Sequence, residues 1–264
     1  MGEVIVITSG KGGVGKTTTS ANLGAGLASL GDKVCLIDAD IGLRNLDVVM
    51  GLENRIVYDL VDVTSGNCSF RKAMIKDKRF ENLFLMPAAQ TKDKTAVSPE
   101  QMRALTEEIK SEFDYVIIDC PAGIEQGFRN AISGANQAIV VTTPEVSAVR
   151  DADRIIGLLE KEDLREPKLV INRMRYQMVK HGDMMSIDDI IDILAVDLLG
   201  VVPDDEQVVI STNRGEMVVM NDSSRSGQAY RNIVRRIKGE DIPMMNLEEE
   251  GGFFRKLRQI IGLK

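Results

Sequence analysis

Histidine is almost missing: His181 is the single one in 264 residues, which leaves a histidine-rich metal site or a Ser-His-Asp triad little to draw on. Beside Gly182, it is expected on the surface. Cysteine is scarce too. Cys35, Cys68 and Cys120 are widely spaced and form no C-x-x-C pair, which argues against a disulfide frame or a thiolate metal cage. Buried, reduced thiols in the cytoplasm are expected instead. No apolar run approaches the roughly 20 residues of a membrane-spanning helix. The opening "MGEVIVITSG" has no basic stretch before its short apolar run, so no secretory leader is expected. Met1-Gly2 would suit myristoylation, but Val6 stands where that motif wants Ser or Thr.

Charge is plentiful but uneven. The net charge of −7 disfavours broad adhesion to nucleic acid. Acids vanish at the end: from 251 to 264 the charged residues are Arg255, Lys256, Arg258 and Lys264. That is a basic terminal tail. Thirteen methionines are assigned to core filling and loops.

Short β-branched runs at 3–8, 33–38, 82–87, 115–119, 137–143 and 168–172 predict strands, with 197–203 as a seventh. They are nearly continuous apolar runs, as strands covered on both faces must be. Helical patterns fall at 16–30, 98–112, 126–134, 147–162, 186–194 and 223–238. Ser98 followed by Pro99 is a helix start, with serine as cap and proline at the first helical position. The alternation implies right-handed βαβ units and a mostly parallel, twisted sheet flanked by helices. Residues 44–82 are polar and predict irregular helices and loops. One domain spans 1–246, and 247–264 is a linker and tail.

The strand 3–8 runs straight into "SGKGGVGKTTTSAN" (9–22), where Gly10 to Thr17 satisfies G-x-x-x-x-G-K-[ST] between a strand and a helix. Glycines there let successive backbone N–H groups turn inward as a nest for phosphate oxygens. The loop assigns ATP binding to Gly10, Lys11, Gly12, Gly13, Val14, Gly15, Lys16, Thr17 and Thr18. Lys16 neutralises the β- and γ-phosphates, and the Thr17 hydroxyl ligates Mg²⁺. Asp119 ends the strand "YVIID" at the same edge, where a carboxylate can hold Mg²⁺ through its water shell. Asp38 and Asp40 follow "VCLI" as D-A-D. Asp40 is chosen to orient the attacking water or help fix the metal, the alternative being a strand-end or helix-capping aspartate.

Lys11 has no role in the ordinary loop. "KGGVGKTT" (11–18) resembles the deviant Walker A signature of the ParA/MinD ATPases, a P-loop NTPase family. That resemblance implies that Lys11 reaches phosphates held by a second subunit, so that Lys11, Lys16 and Asp40 form the catalytic set of an ATP-bound homodimer. "DADIGLRNLDVVMGLENRIVYDLVDV" (38–63), "DCPAGIE" (119–125), "TTPEVSAVRDADRIIGLL" (142–159) and "GVVPDD" (200–205) are similar to the septum-positioning branch of the family. By position, the resemblance puts Asn172, Arg173, Pro203 and Asp204 around adenine. It puts Arg44, Asn45 and Asp151 on a partner-binding surface. The implied partners are the division inhibitor MinC and a topological regulator, MinE or another protein. Alternatives in the same family are a flagellar-number ATPase and a ParA-type partitioning ATPase acting on DNA. A relative of the nitrogenase iron protein would need cysteines bridging a dimer, and only Cys120 stands near the site.

At about 100° per residue, Phe253, Phe254, Leu257, Ile260 and Ile261 share one helical face; Arg255 and Arg258 lie opposite, with Lys256 flanking. Such a C-terminal amphipathic helix suits an anionic phospholipid membrane. The alternative is a terminal helix packed on its own domain. The expected location is the cytoplasm and the inner face of the cytoplasmic membrane, with peripheral and reversible attachment.

Overall fold

The computed structural model describes residues 2–247. The tail helix expected around Phe253–Ile261 lies outside the described residues. Eight strands make one sheet: β1 (Glu3–Thr8), β2 (Val34–Asp38), β3 (Ile75–Lys76), β4 (Leu83–Met86), β5 (Tyr115–Asp119), β6 (Gln137–Thr142), β7 (Lys168–Met174) and β8 (Leu198–Pro203). Their order is β3-β4-β2-β5-β1-β6-β7-β8. Every pairing is parallel except β3 with β4. β1 stands between β5 and β6, so the connections leaving its neighbourhood diverge at the strands' carboxyl ends and open a crevice there.

The long helices are α1 (Lys16–Ser29), α5 (Pro99–Ile109), α6 (Gln126–Ser133), α7 (Val146–Lys161), α9 (Ile187–Leu194), α10 (Glu206–Asn213) and α11 (Arg225–Ile237). Short ones intervene: α2 (Leu46–Met50), α3 (Leu60–Thr64), α4 (Phe70–Ala73) and α8 (Tyr176–Lys180). Strand side chains alternate between two cores. Ile5, Ile7, Leu36 and Ile117 join α1 and α11 on one face, while Val4, Val6, Val116 and Ile118 join α5, α6, α7 and α9 on the other.

α1 is enclosed by the sheet and α11, and residues 19–28 of it are buried throughout. Its small residues permit this. A Cβ at Gly24 would stand 2.7 Å from Leu36. Its polar side chains find partners inside: Thr19 Oγ1 lies 3.2 Å from the Tyr230 hydroxyl, and Asn22 Oδ1 accepts from Val219 N at 2.8 Å.

The start of α5 is as expected, with Ser98 accepting from Gln101 N and Pro99 in the first turn. Segment 44–82 does consist of short helices and loops, but it also contributes β3, whose two residues are too few to leave a pattern. β7 runs two residues past its expected end through a bulge, with Arg173 at φ 58°. Cys35 and Cys120 are buried; Cys68 is only half-buried, since its helix-flanking loop lies at the surface. His181 is exposed.

The fold keeps the chain's last described stretch close. Arg236 donates to Leu199 O on β8 and to Ile242 and Pro243 carbonyls, and Arg225 donates to Asn246 O at 2.8 Å. α11 starts beside Asp205 and ends beside Asp32, so this strap runs back toward the strands' carboxyl ends.

Candidate functional site: a phosphate loop with a carboxylate cluster

The loop between β1 and α1 is shaped by two glycines. Gly15 caps α1 at φ 100°, a left-handed value that suits glycine. Gly10 lies against α7, where a Cβ would come within 2.2 Å of Asp151 O. No side chain caps the first turn of α1, and no acid lies in it, so its N–H groups and positive dipole end are available to an anion.

Lys16 projects inward and is only 8 % exposed, with Nζ donating to Ser9 Oγ at 2.9 Å. Burial lowers its pKa, while Asp119, Cys120 and Asp40 pull it back up. Ser9 in turn donates to Lys11 O at 2.7 Å. Ser9 was not singled out from sequence, because a serine before a glycine loop carries no pattern of its own.

Asp119 ends β5 beside this lysine. Ser20 Oγ donates to it at 2.9 Å, and Thr17 also bonds it. Burial raises its pKa nonetheless; Thr17, Ser20 and Lys16 moderate the rise. Thr17 and Asp119 thus lie side by side, as a hydroxyl and a carboxylate sharing one cation would. Mg²⁺ is held by one or two carboxylates plus phosphate oxygens and water, so this donor set fits it. Among the described residues no group of three or more His, Cys, Asp or Glu side chains is arranged to hold a metal by itself.

The two acids of D-A-D part ways. Asp38, register partner of Asp119, is fully buried. Its carboxylate accepts from Asp40 N at 2.9 Å, Asn45 N at 3.2 Å and Leu46 N at 3.1 Å. It therefore knots the loop 40–46 and presents Asp40, which is half-buried and electrostatically coupled to Lys16 and Asp119. Burial and the charge of Asp119 raise the Asp38 pKa.

Lys11 points elsewhere. Its Nζ lies 3.3 Å from Ser147 Oγ and 3.6 Å from Glu145 Oε2, at the start of α7, and its side chain is 44 % exposed. Arg44 and Asn45 lie in the loop knotted by Asp38. Arg44 has φ 46°, and its Nε is 3.0 Å from the buried Asp47 carboxylate. Asp151 packs by its backbone on Gly10 and pairs with Arg154 at 3.7 Å.

The four residues expected around adenine stand at the carboxyl ends of the neighbouring strands β7 and β8. Asn172 is buried, its Nδ2 donating to Val14 O at 2.8 Å. Arg173 lines a cavity of about 650 Å³ with Thr143, Glu145 and Met178. Pro203 and Asp204 line another of about 500 Å³ with Arg175 and Leu247. Cys120 is buried, and burial pushes its thiol up to about 12, a poor state for a ligand shared with a second subunit.

Comparison with known proteins gives the family. The family described as "AAA domain" matches residues 2–171. The septum site-determining protein MinD of Bacillus subtilis (strain 168) is 63% identical, over 100% of each chain. MinD in the MinC:MinD cell division protein complex of Aquifex aeolicus superposes with a TM-score of 0.87 at 51% identity, covering 92% of this chain and 99% of that one. The septum site-determining protein MinD of Pyrococcus horikoshii, complexed with Mg-ADP, gives 0.82 at 30% identity, covering 90% and 96%. At 63% identity to one MinD over the whole of both chains, and with the fold of others at TM-scores of 0.82 and above, the chain belongs to the MinD branch of the ParA/MinD ATPase family.

Proposed function

We propose that this protein is a septum-positioning ATPase that dimerises on ATP, attaches to the membrane in that state and leaves it after hydrolysis. The observation that carries the proposal is the placement of Lys11. Lys11, which the loop's own phosphates do not require, holds its ammonium out at Glu145 and Ser147. From there it is available to the triphosphate of a second copy, as a charge delivered in trans.

Within one protomer the remaining roles follow from position. Gly10, Gly12, Gly13, Val14, Gly15 and Thr18 offer backbone to the phosphates, and Lys16 neutralises them once it exchanges Ser9 for phosphate oxygen. Asp40, held out by Asp38, orients the attacking water. Mg²⁺, when bound, neutralises charge on the triphosphate; Thr17 and Asp119 would hold it, with Asp40 nearby. Asn172, Arg173, Pro203 and Asp204 flank the base.

Arg44, Asn45 and Asp151 are assigned to partner binding by the family resemblance; Asp151 packs on Gly10, and Arg44 and Asn45 stand in the loop tied by Asp38. The Aquifex relative occurs in a complex with MinC, and we carry that partner over. MinE or another regulator would act at the same rim. The body, 1–246, carries the ATPase. The tail, 247–264, carries the membrane helix, with Phe253, Phe254, Leu257, Ile260 and Ile261 in the lipid and Arg255, Lys256 and Arg258 at anionic headgroups. No helix among the described residues is long and apolar enough to cross a membrane. Two short tails on one dimer gain about 100-fold or more by avidity, which ties attachment to nucleotide state.

The test pairs two lysine variants. Lys16→Ala should lose stable ATP binding, whereas Lys11→Ala should retain part of it and fail to dimerise, read as apparent mass with a non-hydrolysable ATP analogue. Full ATP-dependent dimerisation by Lys11→Ala would refute the proposal. Co-sedimentation with anionic vesicles against retention on DNA separates this function from a partitioning ATPase.

A further inference from the structure

Asn172 is bound to the phosphate loop itself, and that contact was not expected of a residue flanking the base. It stands on β7, 158 positions away from Val14, and its Nδ2 donates to Val14 O at 2.8 Å in a buried setting. A carbonyl oxygen can only accept, so the amide must present its nitrogen here. The fit is close from the other side too: a Cβ on Gly15 would stand 2.2 Å from the same nitrogen.

We propose that Asn172 is a positioning residue for the phosphate loop, acting on the triphosphate end of the site whatever the base. The peptide group explains how. Across a planar trans peptide, C=O and N–H point in opposite directions. With Val14 C=O held toward β7, the Gly15 N–H must face away from it, which is the inward orientation a phosphate nest requires. If that tie is cut, the Val14–Gly15 peptide can rotate, and Gly15, with φ at 100° and no side chain, offers little resistance. The bulge that follows in β7 is consistent with this role. Register with β8 shifts between Ile171 and Met174, so Asn172 is released from regular pairing where it meets the loop. The amide keeps one N–H and its oxygen, so contact with a base on its free side remains open.

This inference rests on the loop being the nucleotide site, and the experiment separates the two. Asn172→Leu keeps the branch at Cγ, in bulkier form, and has no donor. Affinities for Mg-ATP, Mg-GTP and Mg-tripolyphosphate are measured by competition against a fluorescent ATP analogue, with the thermal midpoint of the unliganded protein as a control for folding. Loss of one buried hydrogen bond predicts that all three weaken by a common factor, about 3- to 10-fold. If only Mg-ATP weakens, Asn172 reads the base alone and the inference is wrong. Wild-type protein that binds none of the three would overturn the nucleotide site as well. Should Asn172→Leu fail to fold, Asn172→Ser, whose hydroxyl is too short for the contact, is judged by the same three ratios.

Discussion

The Lys11 ammonium and the Glu145 carboxylate lie 3.6 Å apart at the start of α7. Both side chains are substantially exposed, so the pair is weak, and it competes with the use of Lys11 by a second protomer. Glu145→Gln should therefore favour the ATP-bound dimer by about 2- to 5-fold. Sedimentation velocity across a protein concentration series with a non-hydrolysable analogue reads it. A weaker dimer would mean that Glu145 itself serves the interface.

Arg44 needs care in any partner-binding experiment, because it neutralises Asp47, a carboxylate 1 % exposed. Arg44→Ala should cost about 1–3 kcal/mol of stability by leaving that carboxylate buried without its cation. The double variant Arg44→Ala/Asp47→Asn should recover most of the thermal midpoint and still fail to bind the partner. Recovery of binding along with stability would show that Arg44 acts only through the fold.

Burial raises the carboxyls of Asp119 and, further, Asp38. A carboxyl raised on folding binds more protons in the native chain than in the unfolded one. Its contribution is greatest below the unfolded value of about 4 and is lost as pH climbs through the folded value. For Asp38 that folded value is about 8. The nucleotide-free protein in chelator should thus lose stability from this pair as pH rises from about 4 to 8. Asp119→Asn should lose less, ending about 1–3 kcal/mol more stable than wild type at the upper end. Thermal midpoints measured across that range decide it, and a steeper fall in the variant would count against the carboxylate pair.

Tyr230→Phe removes the buried partner of Thr19 Oγ1 and little else. A loss of about 1 kcal/mol is expected, lowering the midpoint by roughly 2–4 °C. ATP binding should be unchanged, since both side chains are buried and neither is assigned to the ligand.

Removing 251–264 should abolish ATP-dependent sedimentation with anionic vesicles while leaving basal hydrolysis within about twofold. Undiminished vesicle binding would place the membrane contact in the body.

The sheet was legible because strands covered on both faces are apolar throughout, and the helices between them are long enough to show a period. The loop was legible because backbone-mediated phosphate binding leaves glycines at fixed spacing. β3 and α10 were not, for opposite reasons. β3 is two residues held by its neighbour, and α10, "EQVVISTN", carries a β-branched run, Val208–Ile210, in its middle and is started by the Asp205 side chain on Gln207 N. The inward turn of Asp38 could not be told from the use of Asp40 at the site, because D-A-D is symmetric in sequence and only the N–H groups of Asn45 and Leu46 break the tie. Asn172 was legible as a site residue, but its bond to Val14 depends on a strand and a loop meeting across 158 positions.

The two rims of the sheet differ from its interior in a way that limits how copies can join. On one side the outermost strand is only Ile75–Lys76 and runs against its neighbour, too short a template for a foreign chain to extend. On the other, the Arg236 guanidinium occupies the Leu199 carbonyl, Ser226 occupies that of Pro203, and Pro203 has no N–H to offer. Growth by adding strands, the route to open-ended fibres, is blocked at both margins. Association would then rest on side chains, and on the crevice side whatever fills the crevice can turn it on or off.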